Sequence, residues 1–405
     1  MRRWMMLALG TSAQTVACVF VYGLPYLSTE LRKTNGLSLA EVGLLVACPT
    51  VGLMLTLVAW GALADKYGER IVIASGLAAT TVLLALASTL HGLVTLGAVF
   101  ALAGAASASV YAASGRLVVG WFSAKERGLA MGIRQTSTPL GMGIAALAVP
   151  SLAERSGLTG MVVFAASLCG VVAILVGVFA ADPPRPASSS ADSAAAVGNP
   201  YRRPELWRIH ASSALLCVPQ FTASAFGLLF LVEVRGWSPV HAGQLLAGAQ
   251  VLGALSRIVA GRWSDHVGSR VRPMRQLSVG IAVVMAATAL GAVWPSPLSD
   301  AAMVVACGIT ASTNGLAFTA TAELAGRTWS GRAMGVQNTG QNLAASLTPP
   351  LLGGLIGAVG YGWGFALAAA VAGAAAFMVP VPEKEPSAGK SAAAGEAPAA
   401  AQNSR

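Results

Sequence analysis

Long apolar runs separated by short polar turns set the rhythm of this chain. Crossing the hydrocarbon core of a bilayer takes about 20 consecutive, mostly apolar residues in a helix. Twelve runs qualify: 4–28, 41–60, 71–90, 94–120, 128–150, 159–180, 207–232, 240–261, 274–294, 300–325, 333–356 and 362–380. Between the sixth and seventh lies DPPRPASSSADSAAAVGNPYRRPE, residues 182–205, a Pro-, Ser- and Ala-rich stretch that cannot build a core. The end of the chain has the same character. The pattern predicts an all-α polytopic membrane protein with twelve transmembrane helices in two six-helix bundles. The expected divisions are a first bundle at 1–181, a cytoplasmic linker at 182–205, a second bundle at 206–381 and a disordered cytoplasmic tail at 382–405.

Two polar features repeat. Gly61 to Arg70 reads GALADKYGER, and Gly261 to Arg270 reads GRWSDHVGSR. Each places an Asp four residues after the first Gly (Asp65, Asp265), a Gly three later (Gly68, Gly268) and an Arg two after that. KERGLAMGIRQT, residues 125–136, likewise echoes WSGRAMGVQNT, residues 329–339, around a shared Ala-Met-Gly. The offsets are 200 and 203 residues, so two separate matches point to one duplication. A unit of six spans returns in the same orientation, and the halves are expected to be related by an axis along the membrane normal.

Composition agrees with a bilayer environment. The chain is 55% hydrophobic and only 10% charged, whereas soluble domains carry about 25% charge. A net charge of +10 suggests nucleic acid at first sight, but the basic residues sit in turns between apolar runs. There they set membrane orientation. With the N terminus inside, 19 of the 26 Lys and Arg residues are cytoplasmic and four lie outside (Arg32, Lys33, Arg155, Arg235). Both termini are therefore expected in the cytoplasm of a multi-pass plasma-membrane protein. The run from Trp4 to Leu27 is too long for a secretory h-region and is read as the first span. All five cysteines lie inside apolar runs with no CxxC, which reads as small buried hydrophobes rather than a metal or disulfide site. No P-loop or G-x-S-x-G is present and the four histidines are scattered, so an enzyme is not expected, nor a cofactor.

GxxxDxxGxR in the 2–3 turn, its partner in the 8–9 turn, the central linker and WFSAKERGLAMG entering the fifth span together resemble the major facilitator superfamily of secondary transporters. The resemblance covers about residues 4–380. It implies a two-bundle fold, a central cavity and alternating access, with Asp65 and Arg70 in a cytoplasmic gate. It departs at the fourth span, where Phe100 stands in the place of an arginine tied to proton coupling in typical members.

The residues themselves point the same way. Asp65 and Asp265, at span ends beside basic residues, suit hydrogen bonds to helix-terminal N–H groups that form in one gate state only. Gly61, Gly68 and Gly261 permit close approach and a tight turn. Arg70, Arg116, Arg257, Arg270 and Glu323 fall near cytoplasmic ends and are read as gate residues, with snorkelling the alternative for Arg116 and Arg257 and a proton-coupling carboxylate the sharper alternative for Glu323. Arg134 lies about 10 Å into the fifth span, where a cation needs a wet cavity, an anion or a partner. Its counterpart is Gln337, followed by Asn338, Gln341 and Asn342 as a polar stripe at i,i+4 spacing. Gln135, Thr138, Tyr22, Tyr26 and Gln220 complete the expected substrate cavity. The plain alternatives are snorkelling for Arg134 and helix–helix glue for the amides. Pro139, Pro349 and Pro350 are expected to kink or break the fifth and eleventh spans.

The expected function is secondary transport of a small organic solute, with an organic anion favoured by Arg134. A coupling proton or other ion is its expected companion, the bilayer its setting, and a monomer the working unit. The alternatives are multidrug or metabolite efflux by proton antiport, and a non-transporting sensor on a transporter-like fold.

Overall fold

The computed structural model describes residues 2–27, 38–183, 199–294, 297–326 and 328–381. Most of the expected linker, the expected tail, and Arg32 and Lys33 of the first outer turn lie outside the described residues. The described elements are all helical. In the first half they are α1 (Arg2–Gly23), α2 (Leu39–Tyr67), α3 (Glu69–Ala87), α4 (Leu93–Trp121), α5 (Arg127–Arg134) and α6 (Ser137–Phe179). In the second they are α7 (Pro204–Leu229), α8 (Pro239–Val267), α9 (Val271–Val293), α10 (Pro297–Ile309), α11 (Asn314–Ala325), α12 (Ser330–Val359) and α13 (Tyr361–Met378). Helices are the natural outcome, because a segment in hydrocarbon must satisfy its own backbone hydrogen bonds.

Eleven described segments are long and apolar enough to cross a membrane. The longest, Arg127–Phe179, has 53 residues, about 80 Å if it were one straight helix. It breaks inside α6 at Gly157, where φ is 58° and ψ −144°. It is also interrupted between α5 and α6 at Gln135 and Thr136. Pro139 accounts for that interruption, since its ring would collide with the carbonyl four residues back, on Gln135; Pro349 and Pro350, expected to act likewise, lie inside the continuous α12 and do not break it. Local signals set other boundaries. The Ser38 hydroxyl accepts the Glu41 N–H at 3.3 Å, and the Glu41 carboxylate accepts the Ser38 N–H at 2.8 Å, which starts α2. Gly68 ends it with φ 95°, a backbone that side-chain-bearing residues avoid.

Buried apolar side chains form two large clusters, one drawn from Met6 to Ala180 and the other from Leu216 to Val379. Two helix crossings join elements from the two halves. A Cβ on Gly61 (α2) would overlap the Gly331 carbonyl (α12), and one on Gly261 (α8) would overlap the Gly128 carbonyl (α5). One turn deeper, Gly335 faces the Leu57 carbonyl and Gly132 faces the Arg257 carbonyl. Small residues on both sides let the backbones touch. The N terminus belongs to this end, because Arg3 pairs with Glu126 at 2.7 Å.

Candidate functional site

Each crossing ends in a carboxylate that caps the helix opposite. Asp65, on the last turn of α2, accepts the N–H of Gly331 at 2.9 Å and of Arg332 at 3.2 Å. Asp265, on the last turn of α8, accepts the N–H of Gly128 at 2.9 Å and of Leu129 at 2.8 Å. Helix N-termini leave these donors free and carry partial positive charge, so a carboxylate there is doubly favoured. Arg116 pairs with Asp65 and, through Nε at 2.5 Å, with the buried Glu69. Arg270 pairs with Asp265 at 2.5 Å, and its guanidinium also reaches the Ala124 carbonyl and Glu323. Glu323 is held by Arg127 as well, at 3.5 Å. Arg70 differs from Arg270 because it stays within its own half. Its guanidinium donates to the Gly177 carbonyl, and its N–H to the Asp182 carboxylate at 2.8 Å.

Deeper in, a cavity of about 80 Å³ lies between elements of both halves. Of the residues expected there, Tyr22, Gln135, Thr138, Gln220, Asn338, Gln341 and Asn342 line it. Several are held by partners: Asn314 donates to Gln220 at 3.2 Å, and Gln341 donates to Ser213 at 2.6 Å. The wall also holds Gln14, Tyr111, Cys217, Phe221, Asn314 and Phe318. Asn314 is the duplication partner of Ser114, which itself donates to Gln14 at 3.3 Å. The 200-residue offset of the charged turns, carried into the fourth and tenth spans, would have pointed to it. No carboxylate is among the lining residues.

Three expected cavity residues stand elsewhere. Tyr26 sits in the short 3-10 turn after α1 and is exposed. Gln337 is turned away to His210. Arg134 is buried just behind the wall, neither in the cavity nor snorkelling. Its guanidinium donates to the Ser114 hydroxyl at 2.8 Å, to Gln135 at 2.8 Å and to the Tyr111 carbonyl at 3.4 Å, and it stacks over Phe318 at 5.6 Å. Four neutral partners thus hold one full charge.

Arg257 also stands away from the place the sequence suggested. It lies two turns before Asp265 on the face of α8 that meets α5, about 12 Å deeper, and its side chain lines the cavity. It is 7% exposed, and Nη1 is buried with no hydrogen-bond partner. Among the described residues no carboxylate lies within ion-pair distance of it. A buried, unpaired guanidinium is costly, and an anion in the cavity would relieve the cost.

A sequence profile of the Major Facilitator Superfamily matches residues 5–349. An uncharacterized MFS-type transporter of Mycobacterium tuberculosis is 42% identical over 362 residues, spanning 89% of this chain and 80% of that protein. The probable nitrate/nitrite transporter NarK2 of the same species is 27% identical over 276 residues, 65% of this chain and 67% of its own. Among solved structures, the human organic anion transporter MFSD10 superposes with a TM-score of 0.73 at 15% identity, covering 94% of this chain and 99% of that one. The E. coli fucose:proton symporter FucP does so with a TM-score of 0.72 at 15% identity, covering 93% and 98%. At such identities the fold is shared and the cargo is not fixed by it.

Proposed function

The chain belongs to the major facilitator superfamily, and from that premise we propose that it carries a small oxyanion, of the carboxylate or nitrate class, across the plasma membrane. Secondary transport of a small solute is what the family does; the anion is our reading. One observation carries it, the unpaired guanidinium of Arg257 on the wall of a cavity that has no carboxylate. A planar fork of N–H donors matches a planar oxyanion in geometry as well as charge. Arg134 adds a second positive charge behind the wall. The similarity to a probable nitrate/nitrite transporter supports the class. A cavity of about 80 Å³ is smaller than the ~150 Å³ that accommodates benzene, which favours an anion of a few heavy atoms.

The site residues take roles within this reading. Arg257 binds the anion, while the amides of Gln135, Asn338, Gln341 and Asn342 line its surroundings. The crossings at Asp65 and Asp265 form the gate on the side that the Lys and Arg bias assigns to the cytoplasm. We read the break at Gly157 as dividing Arg127–Phe179 into two crossings, which makes twelve spans in two bundles. Closed at that gate, the molecule would admit substrate from outside. Releasing both carboxylates from the helix ends would open the other side.

Vesicles containing the purified chain test the class directly. Uptake of nitrate or pyruvate that saturates and competes is expected. Transport of a cationic dye with no anion movement would favour the efflux alternative and overturn this reading.

A further inference from the structure

His210 is a buried titratable group that neither the cavity nor the gate accounts for. It lies on the second turn of α7, with Nδ1 bonded to the Gln337 amide oxygen of α12 and Nε2 3.3 Å from the Tyr201 hydroxyl. Tyr201 is half-buried in the short turn Pro200–Arg202, where the expected linker ends. Gln337 accepts from Thr321 at 3.5 Å as well, and its amide nitrogen is buried with no partner. Its chain neighbour Asn338 lines the cavity. A connected path therefore runs from the linker side through Tyr201, His210 and Gln337 to the helix that walls the cavity.

The carboxylates of the gate are already engaged. Asp65 and Glu69 share Arg116, and Asp265 and Glu323 share Arg270. Charged side chains also stand on the elements around His210, some of them held elsewhere. On α7 itself, Arg208 donates to the carbonyls of Phe377 and Met378. On α12, Arg332 stacks on Trp329 at 4.8 Å and lies 3.8 Å from Asp65. On α11 the charge is Glu323, on α8 the groups are His241, Arg257, Arg262, Asp265 and His266, on α10 it is Asp300 held by Arg235, and α13 has none. Glu205 on the first turn of α7, Arg202 and Arg203 in the turn before it, and Arg272 and Arg275 on α9 complete the set.

We infer that His210 is the proton-binding site of this transporter, emptied to the Tyr201 side and coupled through Gln337 to the anion in the cavity. The inference rests on the anion reading above. In the neutral ring, Nδ1–H donates to Gln337 and Nε2 accepts from the Tyr201 hydroxyl. A proton arriving on Nε2 forms one N–H bond, which then donates to the Tyr201 oxygen, while the hydroxyl hydrogen turns aside. Both neighbours can serve both states. With the cavity empty, Arg134 and Arg257 oppose a third positive charge. An anion cancels that opposition, so anion and proton favour each other's binding by reciprocal linkage.

Vesicles with pyranine inside and the membrane potential clamped test this with nitrate and pyruvate as probes. An inward anion gradient should acidify the interior in the wild type. His210→Gln should cut acidification roughly tenfold or more, yet still exchange labelled anion across the membrane. Tyr201→Phe keeps the ring but removes the acceptor for Nε2–H, and should move the pH midpoint of uptake downward with exchange retained. Acidification by His210→Gln at the wild-type rate, or an unmoved midpoint in Tyr201→Phe, overturns the proton site. So does anion uptake by the wild type with no proton movement, an outcome that leaves the anion reading standing. Failure of the wild type to move or exchange either anion overturns both.

Discussion

The two crossings are built on the same rungs and differ at one of them. On α2 the rungs are Leu57, Gly61 and Asp65, facing Gly335 and Gly331 of α12. On α8 they are Arg257, Gly261 and Asp265, facing Gly132 and Gly128 of α5. Glycine against backbone and carboxylate against a helix N-terminus recur in both, 200 residues apart. At the deepest rung the first crossing has a fully buried leucine and the second an arginine without a partner. The shared rungs suit an element that must close and open symmetrically. The unshared rung carries a charge that folding alone does not need, and function is its natural explanation.

The largest expected effect comes from making the rungs alike. Arg257→Leu should weaken nitrate or pyruvate binding by about 1.5–3 kcal/mol, roughly 10- to 150-fold. The unliganded variant should melt at or above the wild-type temperature, because a buried unpaired charge has been removed. Arg134→Gln copies the residue at Gln337 and should do the reverse. It strips donors from Ser114, Gln135 and Tyr111, so stability should drop by about 1–3 kcal/mol. Its loss of anion affinity should be the smaller of the two. A melting curve and a binding isotherm on each variant would read both quantities.

The carboxylate rungs should give a smaller and more even effect. Asp65→Asn and Asp265→Asn each keep an acceptor oxygen but lose the charge at the helix end. Each should shift the gate equilibrium by about 1.4 kcal/mol, roughly tenfold in population. Transport should fall accordingly while equilibrium binding holds; unequal binding losses would show that the two ends do different jobs. The smallest difference lies in the paired arginines. Arg270 crosses to Ala124 and also holds Glu323 of its own half, whereas the Arg70 guanidinium donates to Gly177 within its own half. Arg70→Gln should change flux by no more than about twofold, and Arg270→Gln by clearly more.

Much of this was legible in the sequence, for identifiable reasons. Apolar run length marks spans because hydrocarbon leaves the backbone no alternative, and Pro139 marks the α5–α6 break by a steric rule. The repeat offset pairs Asp65 with Asp265 without any coordinates. Depth and rotation were harder to read. Arg134 and Gln337 are equivalent by the repeat, yet both are drawn from the cavity by partners far away in the chain: Ser114 at a distance of 20 residues and His210 at 127. Arg257 looked like a helix-end residue when counted from the turn, although its face of α8 points inward. Periodicity gives the face only relative to other residues of the same helix. What lies opposite is a tertiary fact, and it decides which arginine is satisfied and which is not.

The account depends on the guanidinium of Arg257 binding the transported anion. The most direct test is the melting temperature of the purified protein against nitrate and pyruvate concentration, with Arg257→Leu measured beside the wild type. Ligand that binds only the folded state stabilises it by RT ln(1 + [L]/Kd), so the melting temperature climbs with the logarithm of concentration once Kd is passed. A rise of that logarithmic form with at least one of the two anions in the wild type, absent from Arg257→Leu over the same range, is the predicted result. The same rise in both proteins, or none in the wild type with either anion, would contradict it.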